Sequence, residues 1–183
     1  MSAMIYVFLA DGFEEVEALT PVDYLRRCDL KVQTVGVRGK MVQGSHGITV
    51  IADATMYDVD MDQCEMIVLP GGLPGTTNLE KSGLLAKVID YCAEHELPIG
   101  AICAAPSILG HKGLLKGRRA TCASGWEQEL EGAEYTGEAV ETDGPFITSR
   151  GAGAANQFAF ALAERMAGKE RADKLAEAVR WAR

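Results

Sequence analysis

Apolar residues come in short solid blocks, and these blocks alternate with stretches where they recur every three or four positions. "MIYVFLA" (4–10) is nearly continuous, as a strand buried on both faces should be. "DGFEEVEALTPVDYLRRC" (11–28) has helical spacing, and "KVQTVGV" (31–37) reads as a second strand. "GSHGITVIADAT" (44–55) predicts a turn and a partly exposed strand, and "EMIVLPGG" (65–72) a buried strand ending in a glycine turn. "SGLLAKVIDYCAEHE" (82–96) has apolar residues at 84, 85, 88, 89 and 92, one face of a helix. "PIGAI" follows as a strand, "CAAPSILGHKGLL" as a helix and "RRATCAS" as a strand. In "EAVETDGPFITSR" (138–150) an Asp-Gly pair between β-rich runs predicts a hairpin, and two helices close the chain.

Repeated β-α-β units with buried strands predict an α/β fold, a mostly parallel sheet with helices on both faces. Ligands bind such sheets beyond the carboxyl ends of the strands. "ADGFEE", "LPGGLPG" and "ICAAP" lie at three of those ends, so they are expected to converge.

Composition narrows the class. At 183 residues, 48% hydrophobic and 24% charged, without repeats or linkers, the chain suits one soluble domain. A net charge of -8 argues against a general nucleic-acid or anionic-membrane surface. No apolar run reaches the roughly 18–20 residues that span a bilayer. "MSAMIYVFLADG" lacks a basic leader and reads as the first strand, not a signal peptide. Five cysteines, at 28, 64, 92, 103 and 122, with no CxxC spacing point to a reducing cytoplasm. The histidines, 46, 95 and 111, lack zinc-site spacing.

Cys103 stands where a strand turns into a helix. Amides of a first helical turn beside it would lower its pKa, and Gly100, Ala101, Ala104 and Ala105 leave room for a sharp turn. The competing reading is a small buried hydrophobe. That packing role fits Cys28, Cys64 and Cys92 better, while Cys122 is open. Asp11 as N-cap would put Glu14 at N3 in a capping-box arrangement, with Glu15 solvated in the first turn. Glu17 is left without a structural task, four residues before a proline at 21 that breaks the helical ladder, and reads equally as a functional acid or as an exposed one beside a tolerated kink. "PGGLPG" (70–75) exposes backbone amides that suit an oxyanion hole or a phosphate cradle, yet it lacks either nucleotide-binding glycine pattern.

"ADGFEEVEALTPVDYLRR", "IVLPGGLPGTTNL", "IGAICAAPSIL" and "TSRGAG" together resemble the ThiJ/PfpI (DJ-one) superfamily, near its DJ-one/YajL branch, over essentially the whole chain. The resemblance implies a flavodoxin-like sandwich, a single class I glutamine amidotransferase-like domain over 1–183, and a homodimer. It places the nucleophilic cysteine on Cys103 and the acid that hydrogen-bonds it on Glu17. Gly72 and the amide of Ala104 fall at the oxyanion position, and Gly151 and Ala152 at the pocket wall. Many relatives have a histidine after the next strand; here Cys122, Ala123 and Ser124 stand instead. His46 and Cys122 are the candidates to support the pair from outside.

The implied activity is a glutathione-independent glyoxalase or a deglycase on methylglyoxal, glyoxal or their adducts. Such a hydrolase or lyase needs no metal or organic cofactor. Its partners are small reactive carbonyl compounds, with no specific nucleic acid and no membrane. The alternative is an oxidative-stress chaperone or redox sensor acting through Cys103 oxidation.

Overall fold

The computed structural model describes residues 3–181. Its strands are β1 (Met4–Leu9), β2 (Val32–Gly36), β3 (Met41–Gln43), β4 (Thr49–Ile51), β5 (Ala54–Thr55), β6 (Cys64–Leu69), β7 (Ile99–Ile102), β8 (Arg119–Ala120), β9 (Glu134–Tyr135), β10 (Val140–Asp143) and β11 (Phe146–Ser149). Its helices are α1 (Glu15–Arg27), α2 (Gly75–Glu80), α3 (Gly83–Glu94), α4 (Pro106–His111), α5 (Ala155–Ala167) and α6 (Lys169–Ala178).

Seven strands form one sheet in the order β10-β11-β7-β6-β1-β2-β5. All neighbours are parallel except the β10–β11 hairpin, whose turn holds the Asp143-Gly144 pair. Alternation along β1 builds two cores. Ile5, Val7 and Leu9 pack with Leu25 of α1 and Phe158 and Leu162 of α5. Tyr6 and Phe8 pack on the opposite face with Leu85 and Ile89 of α3 and Ile108 of α4. Each large side chain taken fully out of water contributes about 1.5–3 kcal/mol. The apolar blocks predict this mostly parallel sheet with helices on both faces, the family resemblance implies its flavodoxin-like form, and the ends of β1, β6 and β7 lie side by side.

Four local expectations are corrected. The stretch 44–55 splits between the β3–β4 hairpin and β5. The stretch 118–124 does not join the main sheet; only Arg119–Ala120 is extended, paired with β9. The helix after β7 begins at Pro106 and lasts six residues. A short helix, α2, starts at Gly75, the last residue of the glycine-rich turn, and runs on to Glu80 where no element is predicted. Among the described residues no helix is long and apolar enough to cross a membrane.

Candidate active site

Cys103 follows the buried strand β7 directly and has φ 65°, a left-handed conformation costly for a residue with a Cβ. Two neighbouring segments fix it there. Its N–H donates to the Ser149 carbonyl at 2.8 Å, and its carbonyl accepts the Ala123 N–H at 2.8 Å. The backbone is thus held from both sides, and the thiol, half-buried, faces the β6–α2 loop.

That loop supplies two glycines with different tasks. A Cβ on Gly71 would lie 2.5 Å from the Cys103 Cβ and 2.6 Å from Glu17 Oε2, so only glycine fits between the cysteine and the acid. Gly72 has φ 91° and offers its N–H to the Cys103 sulfur, as does Ala104. The helix-terminus explanation for Cys103 is therefore corrected. Helix α4 starts three residues later, and the amides at the sulfur come from the elbow and the glycine loop.

Glu17 lies on α1 with 1% of its surface exposed. Its Oε2 accepts the Gly71 N–H at 3.0 Å, and the carboxyl also meets the Ala152 N–H and the Cys103 thiol. Burial pushes its pKa up to about 7, helped by the nearby Glu14 charge and opposed by those hydrogen bonds. For Cys103 the expectation of a lowered thiol pKa fails. Burial, then the Glu17 charge and the hydrogen bond to it, push it up to about 11 against the two amides. The pair thus releases its first proton near pH 7, leaving one proton between sulfur and carboxylate.

The remaining candidates surround this pair. A Cβ on Gly151 would sit 3.8 Å from Glu17 Oε1, so Gly151 and Ala152 border the acid. Cys122 is buried; burial first, then Glu127 and Cys103, push its thiol up to about 12. His46 is instead held at Glu14 and Glu15: its Nδ1 lies 3.3 Å from the first and 3.2 Å from the second, with the ring largely exposed. Glu15 itself is buried, not solvated, because its carboxylate accepts the His46 and Ile48 amides at 2.9 and 3.3 Å. Donor atoms of Glu14, Glu15 and His46 lie within 4.8 Å of one another, but those of Glu15 are engaged in holding the turn. Glu14, not Asp11, is the N-cap of α1, and Asp11 instead accepts the Gln43 N–H at 3.0 Å.

His95 stacks on Tyr91, and His111 is clamped between Glu80 and Glu129 at 2.5 and 2.7 Å. Neither is a partner of Cys103. Cys28, Cys64 and Cys92 are buried in the cores, as their apolar neighbours predict. The sequence reading missed Gly71, Ser149 and Ala123. The doubled glycine after β6 was the available signal for the first; the other two act through backbone groups, which carry no residue signature.

The sequence model of the DJ-1/PfpI family matches residues 3–165. DJ-1beta of Drosophila melanogaster is 35% identical over 180 residues, covering 97% of this chain and 96% of that protein. Its crystal structure superimposes with a TM-score of 0.95 over 100% of both chains. A deglycase of Thermococcus kodakarensis, TK1284, is 32% identical over 80% of this chain and 89% of its own. The structure of oxidized DJ-1 from Toxoplasma gondii matches with a TM-score of 0.94 at 29% identity, over 100% of both chains.

Proposed function

The chain belongs to the DJ-1/PfpI family, and from that premise we propose that it is a glutathione-independent glyoxalase of the deglycase type. The observation that carries this reading is a strained cysteine hydrogen-bonded to a buried carboxyl that titrates near neutrality. The named deglycase among the relatives supports the same class.

Above pH 7 the Glu17 carboxylate takes the Cys103 proton as sulfur attacks the aldehyde carbon of a 2-oxoaldehyde. The Gly72 and Ala104 N–H groups, already directed at the sulfur, stabilise the oxyanion, which Glu17 then protonates to a hemithioacetal. Glu17 next removes the C1 proton and returns it to C2 through an enediol. This gives the thioester of a 2-hydroxy acid. Water cleaves the C–S bond, releasing the acid and restoring the thiol. An amine or thiol adduct that reverts to free dicarbonyl is drained by the same route. No metal or organic cofactor enters these steps.

The working unit in this reading is a cytoplasmic homodimer of one catalytic domain per chain. Val16 and Leu19 on α1 and Met41, Ile48 and Ile51 on the hairpin are exposed, Met41 and Ile51 are directly paired across β3–β4, and the Ile48 N–H donates to Glu15 of α1. Exposed apolar side chains of this kind suit a second copy.

Purified protein incubated with methylglyoxal is expected to form lactate, and Cys103→Ser or Glu17→Gln to abolish it. The competing reading is a redox sensor, favoured by the same amides and carboxyl around sulfur and by the oxidized relative. There, two equivalents of peroxide would convert the thiol to a sulfinic acid with release of two waters. Peroxide-dependent sulfinate without lactate would replace the enzyme reading with this one.

A further inference from the structure

An open groove of about 480 Å³ runs beside the pair, between the segment after β8 and the segment after β11. Both walls are tied to the reacting groups. The first wall holds Cys122 and Ser124, and Ala123 between them donates its N–H to the Cys103 carbonyl at 2.8 Å. The second holds Arg150, Gly151 and Ala152; Ser149 just before them accepts the Cys103 N–H, and Ala152 donates to Glu17. Cys103 and Glu17 do not themselves line the groove, but residues on both of its walls, or next to them, are hydrogen-bonded directly to the pair.

Its charge is unlike that of the rest of the molecule. The chain carries 26 acidic against 18 basic residues, yet no aspartate or glutamate lines this groove. Arg150 is its one charged lining residue, and the Ser124 and Tyr135 hydroxyls add neutral donors. The Arg150 guanidinium forms no ion pair among the described residues; its one hydrogen bond is a long contact of 3.5 Å to the Gly137 carbonyl. It sits exposed on the chain two residues before Ala152. An arginine fork so placed matches a carboxylate or phosphate.

We propose that Arg150 is a specificity-determining residue: the groove accepts dicarbonyl substrates with an anionic tail, whose carboxylate or phosphate meets the guanidinium while the aldehyde reaches Cys103. This rests on the reading of Cys103 as the nucleophile and deepens it by naming the substrate class. It also answers an electrostatic difficulty. Above pH 7 the Cys103–Glu17 pair carries one negative charge that repels an anionic substrate, and a cation on the groove wall offsets it.

The first test needs no turnover. Iodoacetate and iodoacetamide alkylate Cys103 by the same displacement, with an S–C bond formed and iodide released, but only iodoacetate carries the anion. The iodoacetate-to-iodoacetamide rate ratio is expected to fall about fivefold in Arg150→Gln, as suits a partly exposed charge pair, and to recover partly in Arg150→Lys. Arg165→Gln, the same charge change on α5, should keep the wild-type ratio. The second test compares 4,5-dioxopentanoate with uncharged 2-oxopentanal. The charged substrate should have the higher kcat/KM, with the advantage lost in Arg150→Gln and eroded by salt. An unchanged alkylation ratio in Arg150→Gln, or an equal fall in Arg165→Gln, overturns the proposal. If the alkylation ratio behaves as expected but neither dicarbonyl turns over, the enzymatic reading fails and the anion site stands.

Discussion

At the scale of single residues, the proposed chemistry and part of the stability both turn on one proton shared between Cys103 and Glu17. Alkylation of Cys103 by a neutral reagent, and turnover of methylglyoxal, should rise with pH through about 7 as Glu17 ionises. In Glu17→Gln that step should vanish, and the thiol, freed of the neighbouring charge, should titrate below the native value of about 11. Thiolate absorbance against pH measures both. The stability effect runs opposite to that of an ordinary carboxylate, because the Glu17 pKa is raised from 4.5 to about 7 by burial. Between those values the folded protein holds a proton that the unfolded chain has lost. Its stabilising contribution is complete below about pH 4.5 and absent above about pH 7, a loss on the order of 3 kcal/mol. Denaturant unfolding should show Glu17→Gln gaining on the native protein as pH rises through that window. Gly71→Ala should do the reverse of a cavity mutation. Its methyl would have to displace Cys103 or Glu17, destabilising by about 1–3 kcal/mol and suppressing Cys103 alkylation.

At the scale of elements, the site is assembled by strand ends and the short turns behind them. Strand β7 delivers Cys103, the segment after β6 delivers Gly71 and Gly72, and α1 brings in Glu17, while β11 ends at the carbonyl that pins the elbow. Glu15 does comparable work one residue from the N-cap of α1, tying the β3–β4 turn to the helix. Burial pushes its pKa up, but the His46 and Ile48 hydrogen bonds outweigh this and hold it below the ordinary value. Glu15→Ala should leave two amides without that acceptor, costing about 1–3 kcal/mol. Hydrogen exchange should quicken at residues 46 and 48, with β1 and β6 unchanged. The helical pattern of α1 was legible from its apolar spacing, but Glu15 was not. An acid in a first turn looks the same in sequence whether it meets water or a distant loop.

At the scale of the whole molecule, the proposed homodimer should depend on the exposed apolar side chains of α1 and the hairpin. Met41 and Ile51 are 75% and 77% exposed and paired across the hairpin, so Met41→Lys with Ile51→Lys should shift the protein to a monomer by sedimentation with the fold retained. Solid apolar blocks on 4–10, 65–69 and 99–102 were enough to determine a parallel sheet covered on both faces, because strands buried on both sides have no polar edge to alternate. Small residues around Cys103 made it a candidate nucleophile, and Glu17 was left without a local partner, but only the family resemblance joined the two as a candidate pair. What the chain order alone could not decide is the electrostatic balance at that pair. It depends on how much water the fold removes and which amides point inward, and those are set by segments 54 to 135 residues apart: Gly71 against Glu17, and Ala152 against the same carboxyl. The amides of a local helix suggested a thiol ionised at neutrality; the tertiary structure buries it beside a carboxylate and moves the first titration onto Glu17, since desolvation and a neighbouring negative charge act through space and leave no pattern along the chain.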